Sequence, residues 1–306
     1  MNIAIMAAGA VGGYFGARLA DSGHDVTFIA RGKHLEAIRD HGFELRSELG
    51  DVQLKNVNAT DDPAIVGPVE VILFAVKLWD TVASAQACKP MLTDKTAVIS
   101  LQNGVESSEI ISGEFGAEHS LAGSAYVSSV IAEPGVIQHF GNFAKLVFGE
   151  TDNQKSDRAK AFLKACQESG FEAVIPDDIQ AALWDKFITL TTLSGVTTAS
   201  RSPIGKILAD PDMAKMYRAA MTEIAAVGRA RGVNLAEDIV ERQMGFAATM
   251  MPPDMTASTL KDLEKGYRLE TPWLTGAVVR MGRELNIPTP VNETLNAVIK
   301  PFENGN

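Results

Sequence analysis

The first thirty residues constrain the fold more than any other stretch of this 306-residue chain. Ile3 to Met6 is a short apolar run, and Ala7-Ala8-Gly9-Ala10-Val11-Gly12 is a glycine-containing turn. Val11 to Ser22 then shows helical spacing through Phe15, Leu19 and Ala20, and Gly23 stops it. Asp25 to Ala30 reads as the next strand. Strand, turn, helix and strand in that order make a βαβ unit, whose two strands lie parallel. Val71 to Val76 is an unbroken apolar run, as expected of a strand buried on both faces. Ala97 to Leu101 reads as another strand, ending at Gln102-Asn103-Gly104. Leu121 to Ile131 and Gly135 to Phe148 read as two more, with Pro134-Gly135 turning between them.

Near Asp178 the pattern changes to long helical periods. Ile179 to Thr198, Pro211 to Arg231 and Glu237 to Met251 are three of them. Asp210 before Pro211 is an N-cap followed by proline at the first helical position. Met251-Pro252-Pro253-Asp254 breaks the pattern, and two segments follow, from about Thr256 to Lys265 and from Pro272 to Leu285. Thr271 before Pro272 repeats the cap-then-proline arrangement. The expected architecture is α/β: an N-terminal Rossmann-type parallel-sheet domain over residues 1–177, then an all-helical C-terminal domain over 178–306. Glu303-Asn304-Gly305-Asn306 is expected to fray.

Charge and cysteine content narrow the function. With 28 basic and 38 acidic residues the net charge is -10, which argues against nucleic acid held by a general basic field. An anionic ligand would need local cations. No apolar run approaches the roughly 20 residues of a membrane helix. Met1-Asn2-Ile3 runs straight into the first strand without a charged leader, so a cytoplasmic protein is expected. Cys88 and Cys166 are far apart and form no CxxC, and the five histidines have no metal-ligand spacing, so no metal site is expected. The apolar helices of the second half would serve either a homodimer interface or their own core.

The turn at residues 7–12 matches the dinucleotide fingerprint GxGxxG except that Ala7 stands at the first glycine. Gly9 would let the backbone approach a pyrophosphate, Gly12 would let helix and strand pack closely, and the helix N-terminus would supply amide donors. Ala7 is accommodated if its φ stays negative. Ala7, Ala8, Gly9, Ala10, Val11 and Gly12 are therefore candidate cofactor residues. The second strand ends Ala30-Arg31-Gly32-Lys33, with cations and no acid. A guanidinium suits a 2′-phosphate, so Arg31 points to NADPH/NADP over NAD. Lys77 and Asn103 also sit where strands run out, the region in which open α/β sheets collect ligands. Singly, one reads as a surface lysine and the other as a turn.

In order and spacing these pieces resemble the ketopantoate reductase (2-dehydropantoate 2-reductase) family. The resemblance rests on the fingerprint, Arg31, Val76-Lys77, Gln102-Asn103-Gly104 and Trp184-Asp185-Lys186. It continues through Ser258 to Glu270, Leu274-Thr275-Gly276 and Ile287-Pro288-Thr289-Pro290, nearly the whole chain. It implies NADPH-dependent reduction of a 2-oxo acid to a 2-hydroxy acid, 2-dehydropantoate to pantoate in pantothenate biosynthesis. By position Lys186 matches the catalytic lysine, Glu270 the active-site glutamate, and Ser258 a serine holding the substrate carboxylate. Asn103 and Lys77 match residues lining the cofactor and substrate cleft. The residue types suit the chemistry, since an ammonium beside a ketone oxygen stabilises the charge that hydride transfer leaves there. Trp184 and Phe187 flank Lys186, so desolvation is expected to disfavour its charged form. Read without the family, Lys186 is a snorkelling lysine and Glu270 a helix-start acid.

The chain departs from the family four and eight positions after the lysine, where two asparagines line the pocket and this chain has Leu190 and Ser194. Ser194 remains a candidate substrate residue on that helix face, and Thr189, Thr191 and Thr192 are nearby hydroxyls that a rotated helix would bring in. A site without those donors should bind pantoate-like hydroxyls less well. A paralogous reductase of a different keto acid, a 3-hydroxy acid dehydrogenase and a catalytically silent NADPH-binding sensor therefore stay open.

Overall fold

The unbroken apolar run that opens the chain becomes an interior strand of a sheet, covered on both faces. In the computed structural model, which describes residues 1–305, the elements of the first part are β1 (Asn2–Met6), α1 (Ala10–Asp21), β2 (Asp25–Ile29), α2 (Gly32–His41), β3 (Phe43–Arg46), β4 (Val52–Leu54), β5 (Asn58–Thr60), β6 (Val71–Phe74), α3 (Thr81–Cys88), β7 (Ala97–Ser100), α4 (Ser107–Phe115), β8 (Ser120–Glu133), β9 (Val136–Glu150), α5 (Asp157–Glu168) and β10 (Glu172–Val174). The strands form one sheet in the order β4-β3-β9-β8-β7-β6-β1-β2-β5, with β10 on β9. β1 pairs in parallel with β2 on one side and β6 on the other, and β6, β7 and β8 continue in parallel. β8 and β9 are antiparallel, turning at Pro134-Gly135.

Successive side chains along a strand point to opposite faces, and both faces here are filled. Ile3, Ile5, Val71, Leu73 and Ile99 join one buried cluster, while Ala4, Met6, Ile72, Phe74 and Val98 join the other. That is why the central strands read as continuous apolar runs. The short strands β3, β4, β5 and β10 went unforeseen. Asn58-Ala59-Thr60 carries no apolar run, and its pairing with β2 supplies what its composition does not.

The helices that follow are α6 (Ile179–Ser200), α7 (Ile204–Ala209), α8 (Pro211–Ala230), α9 (Ile239–Thr249), α10 (Ser258–Glu264), α11 (Thr275–Leu285) and α12 (Pro290–Ile299). By internal packing the chain divides into two units, residues 1–102 with 106–179, and residues 103–105 with the chain from Gln180 onward. In the second unit Asp210 caps α8, its Oδ1 accepting from the Asp212 and Met213 amides at 3.0 and 2.9 Å. Gly228 on α8 leaves room for the Trp184 ring of α6, since a Cβ there would lie 2.7 Å from Trp184 Cε3. The carboxylate of Glu223 accepts from the Val291 and Asn292 amides, each at 2.9 Å, and so caps α12 from a different helix.

Two expectations need correction. The segment from Pro272 to Leu285 is not one helix: a 3-10 turn covers Thr271–Trp273 with Glu270 at its N-cap, and Leu274 (φ -110°, ψ -103°) separates it from α11. Glu303 to Gly305 does not fray, because the Leu269 amide donates to the Glu303 carbonyl at 2.9 Å and the Gly305 amide to Phe302 at 3.1 Å. Asn306 lies outside the described residues. Among those residues no helix is long and apolar enough to cross a membrane, and no acid, histidine and cysteine cluster could hold a metal. Cys88 and Cys166 are both buried, and burial pushes the Cys88 thiol up to about 12 and the Cys166 thiol still higher.

Candidate active site

Strand order reverses at β1, since the chain moves from β1 to β2 on one side and later returns with β6 on the other. Such a switch point opens a crevice outside the carboxyl ends of the strands. A cavity of about 400 Å³ lies there, walled by Met6, Ala7, Ala8 and Gly9 after β1, by Ala30 and Arg31 after β2, and by Val76 and Asp80 after β6. Ala10, Val11 and Gly12 open α1. A Cβ on Gly12 would lie 2.5 Å from the Ala7 carbonyl oxygen and 2.9 Å from Ile5 Cγ2, so helix and strand touch there only because the side chain is missing. A Cβ on Gly9 would meet nothing within 4 Å, so the turn is open on that side. An open glycine, a helix N-terminus and a cavity at the strand ends fit a dinucleotide phosphate.

Ala7 does not keep a negative φ. Its φ is +71°, in the left-handed region, and it adopts there the conformation that glycine takes without strain. The surrounding hydrogen bonds hold it: the Ala8 amide donates to the Ile29 carbonyl at 2.8 Å, and the Gly13 amide to Gly9 at 2.7 Å. Arg31 is the N-cap of α2 and its side chain is 82% exposed, with Nη2 3.5 Å from Asp80 Oδ2. Asp61 and Asp80 both line the cavity, so the acids missing from the second strand arrive from just beyond β5 and from beyond β6. Asp61 had no sequence signal because β5 itself had none. Lys77 is exposed, with Nζ 5.6 Å from the Trp79 ring centroid, and its neighbour Val76 rather than Lys77 walls the cavity.

The remaining candidates belong to the second unit. Lys186 is half-buried on α6, and its chain neighbours Trp184 and Phe187 are buried with their rings meeting edge to face at 5.3 Å. Withdrawal from water lowers its ammonium pKa from 10.5 to about 8. Next to it, Asp185 accepts a hydrogen bond from Gln243 Nε2 and pairs with Arg242 at 3.4 Å. Burial raises the Asp185 pKa, and Arg242 opposes that shift. Thr189 Oγ1 donates to Gln243 Oε1 at 2.5 Å, so its hydroxyl belongs to this group and does not replace a donor at Leu190. Thr191 and Thr192 are buried, and Leu190 is half-buried.

Ser194 is buried, and its Oγ donates to Thr259 Oγ1 at 2.7 Å. Thr259 follows Ser258, whose side chain is exposed at the first residue of α10. One hydrogen bond therefore ties Ser194 on α6 to the residue next to Ser258 on α10. Glu270 is half-buried, and its carbonyl accepts from the Trp273 amide at 3.0 Å. Asn103 is half-buried beside Gly104, where a Cβ would lie 3.3 Å from the Trp273 carbonyl oxygen. Asn103 thus sits by the turn that Glu270 begins. Sequence reasoning missed Gln243 and Thr259, whose roles come only from packing between helices distant along the chain.

A mostly parallel sheet carrying this turn at its switch point, followed by a helical unit with a desolvated lysine, defines a two-unit dinucleotide-type oxidoreductase fold. Family models described as ketopantoate reductase PanE/ApbA and its C-terminal region match residues 3–153 and 178–303. A ketopantoate reductase structure from Ralstonia eutropha superposes with a TM-score of 0.90 at 35% identity, covering 99% of this chain and 98% of that one. A 2-dehydropantoate 2-reductase from Archaeoglobus fulgidus is 30% identical over 304 residues, 99% of this chain and 98% of the relative. An uncharacterized oxidoreductase of Bacillus subtilis, YkpB, is 29% identical over 99% of both chains. The chain belongs to the ketopantoate reductase family. It is an oxidoreductase acting on CH–OH groups.

Proposed function

We propose that this chain reduces a 2-oxo acid with NADPH in the cytoplasm, and that the acid is 2-dehydropantoate, converted to pantoate for pantothenate biosynthesis. The observation that carries the reading is Lys186 on α6, a half-buried ammonium group whose desolvation brings its pKa to about 8. A proton donor works best when its pKa lies near the working pH. The nicotinamide supplies hydride to a carbonyl carbon when bound. Ala7, Ala8 and Gly9 would hold its pyrophosphate, with Arg31 reaching the 2′-phosphate against the opposing field of Asp61 and Asp80. Lys186 Nζ stabilises the charge that grows on the carbonyl oxygen and gives that oxygen its proton. Glu270 steadies the ammonium or accepts from a substrate hydroxyl. The exposed Ser258 hydroxyl donates to the substrate carboxylate, Asn103 orients the substrate, and Ser194 supports Ser258 through Thr259.

Leu190 favours a second reading. It is half-buried and apolar, and the hydroxyl of the preceding residue, Thr189, is engaged with Gln243. That surface suits a 2-oxo acid with an apolar side chain better than one with a hydroxyl to satisfy. The test is NADPH oxidation with 2-dehydropantoate and with 2-oxo acids of increasing apolar bulk, each with Lys186→Ala as control. Lysine-dependent turnover of 2-dehydropantoate supports the first reading. Turnover confined to the apolar acids moves the assignment to the second. Bound NADPH with no turnover of any of them refutes both and leaves a 3-hydroxy acid dehydrogenase or a sensor.

A further inference from the structure

His34 makes two hydrogen bonds that fix its tautomer. The Gly135 amide donates to Nδ1 at 3.0 Å, and Nε2 lies 2.9 Å from the Ala8 carbonyl oxygen. An amide can only donate and a carbonyl can only accept, so Nδ1 is the acceptor and Nε2 carries the hydrogen. The ring is therefore neutral. Burial lowers its pKa from 6.5, and its place in the first turn of α2 adds the positive end of the helix dipole.

Each of those partners is itself held. The Gly135 carbonyl accepts from the Glu44 amide at 3.0 Å, which anchors the tip of the β8–β9 hairpin to β3. The same hairpin reaches the dinucleotide turn a second time, where Ser129 Oγ donates to the Ala10 carbonyl at 3.0 Å. The Ala8 carbonyl belongs to the peptide whose other end is the Gly9 N–H, and in a trans peptide those two groups point in opposite directions. Fixing the carbonyl on the imidazole therefore aims the Gly9 amide the other way. Ala8, Gly9 and His34 all line the same cavity.

We propose that His34 is a positioning residue for the cofactor. Relaying from Gly135, it locks the Ala8–Gly9 peptide in the orientation that presents the Gly9 N–H to a cofactor phosphate, so that binding does not have to order the turn. The inference rests on reading the turn as the NADPH site. His34 acts on affinity and takes no part in proton or hydride transfer.

The two ring nitrogens can be mimicked separately. In His34→Gln the terminal amide sits near the Nε2 position and can still donate to Ala8. In His34→Asn the side-chain oxygen sits near Nδ1 and keeps only the Gly135 bond. The dissociation constant of NADPH is measured calorimetrically for the wild type, both variants and His34→Ala, with circular dichroism confirming each fold. The expected result is His34→Gln within about threefold of wild type, and His34→Asn and His34→Ala weakened about tenfold, equivalent to about 1.4 kcal/mol. Turnover at saturating NADPH should stay within about twofold throughout. Either weakened variant suffices if the other does not fold. Wild-type affinity in a folded His34→Asn or His34→Ala, or equal losses in Gln and Asn, overturns the role. Failure of the wild type to bind NADPH would instead overturn the cofactor reading.

Discussion

Ala7→Gly should leave stability unchanged or raise it slightly, although an alanine-to-glycine change normally weakens a protein. Ala7 sits at φ +71°, where an L-residue costs about 1–2 kcal/mol and glycine nothing comparable. Against that relief stand about 0.4–1 kcal/mol for the greater freedom of glycine in the unfolded chain and roughly half of a methyl's ~0.8 kcal/mol, since Ala7 is half-buried. The neighbouring Ala8 supplies the reference. It is fully buried and outside the left-handed region, so Ala8→Gly suffers both losses without the relief and should fall by about 1.5 kcal/mol. The two variants should thus differ by about 2 kcal/mol. Urea unfolding followed by far-ultraviolet circular dichroism resolves this, because at a slope near 3 kcal/mol/M such a gap separates the midpoints by roughly 0.7 M. Coincident midpoints, both below wild type, would show that the backbone at Ala7 stores no strain.

Other outcomes follow from single residues. With the Lys186 pKa at about 8, 2-oxo acid reduction, which uses the protonated amine, should decline as pH rises through 8, while oxidation of the hydroxy acid should rise over the same range. Both limbs should vanish in Lys186→Ala, and flat profiles between pH 6.5 and 9.5 would remove the lysine from the chemistry. The same shift makes stability rise with pH between about 8 and 10.5, because there the unfolded lysine keeps a proton that the folded one has lost. Glu223→Ala should cost about 1–3 kcal/mol in thermal unfolding, because it strips the cap from α12 and leaves the Val291 and Asn292 amides without their acceptor. Gly12→Ala forces a Cβ against the Ala7 carbonyl at 2.5 Å. It should cost about 1–3 kcal/mol in urea and weaken NADPH binding.

What the sequence disclosed and what it hid divide along a physical line. Elements with a strong local period were readable. β6 and β7 are unbroken apolar runs because both sheet faces are covered, and α8 carries its own cap in Asp210. Features made by contact between distant segments were not readable. β5 exists because β2 offers an edge, and Glu223 is a cap only because α12 starts beside it. Ala7 shows the same limit in one residue. Local preference argues for a negative φ, and the hydrogen bonds from the Ala8 amide to Ile29 and from the Gly13 amide to Gly9 hold the turn against it. In the candidate site, Lys186, Ser258 and Glu270 stood out only through the family resemblance, whereas the Asp185, Gln243 and Thr189 group and the Ser194 to Thr259 bond depend on how helices meet and carried no signal at all.

The two buried cysteines have a practical consequence for following this protein in motion. A thiol reacts as its thiolate and must be reached by the reagent. Cys88 and Cys166 are enclosed, with pKa values well above those of exposed thiols. A cysteine introduced at an exposed position such as Lys33 or Lys261 would therefore take up a maleimide dye while both native thiols stay silent. A pair of dyes, one on each unit, could be attached without first deleting any native residue, and slow labelling at Cys88 or Cys166 would itself report transient opening of the fold.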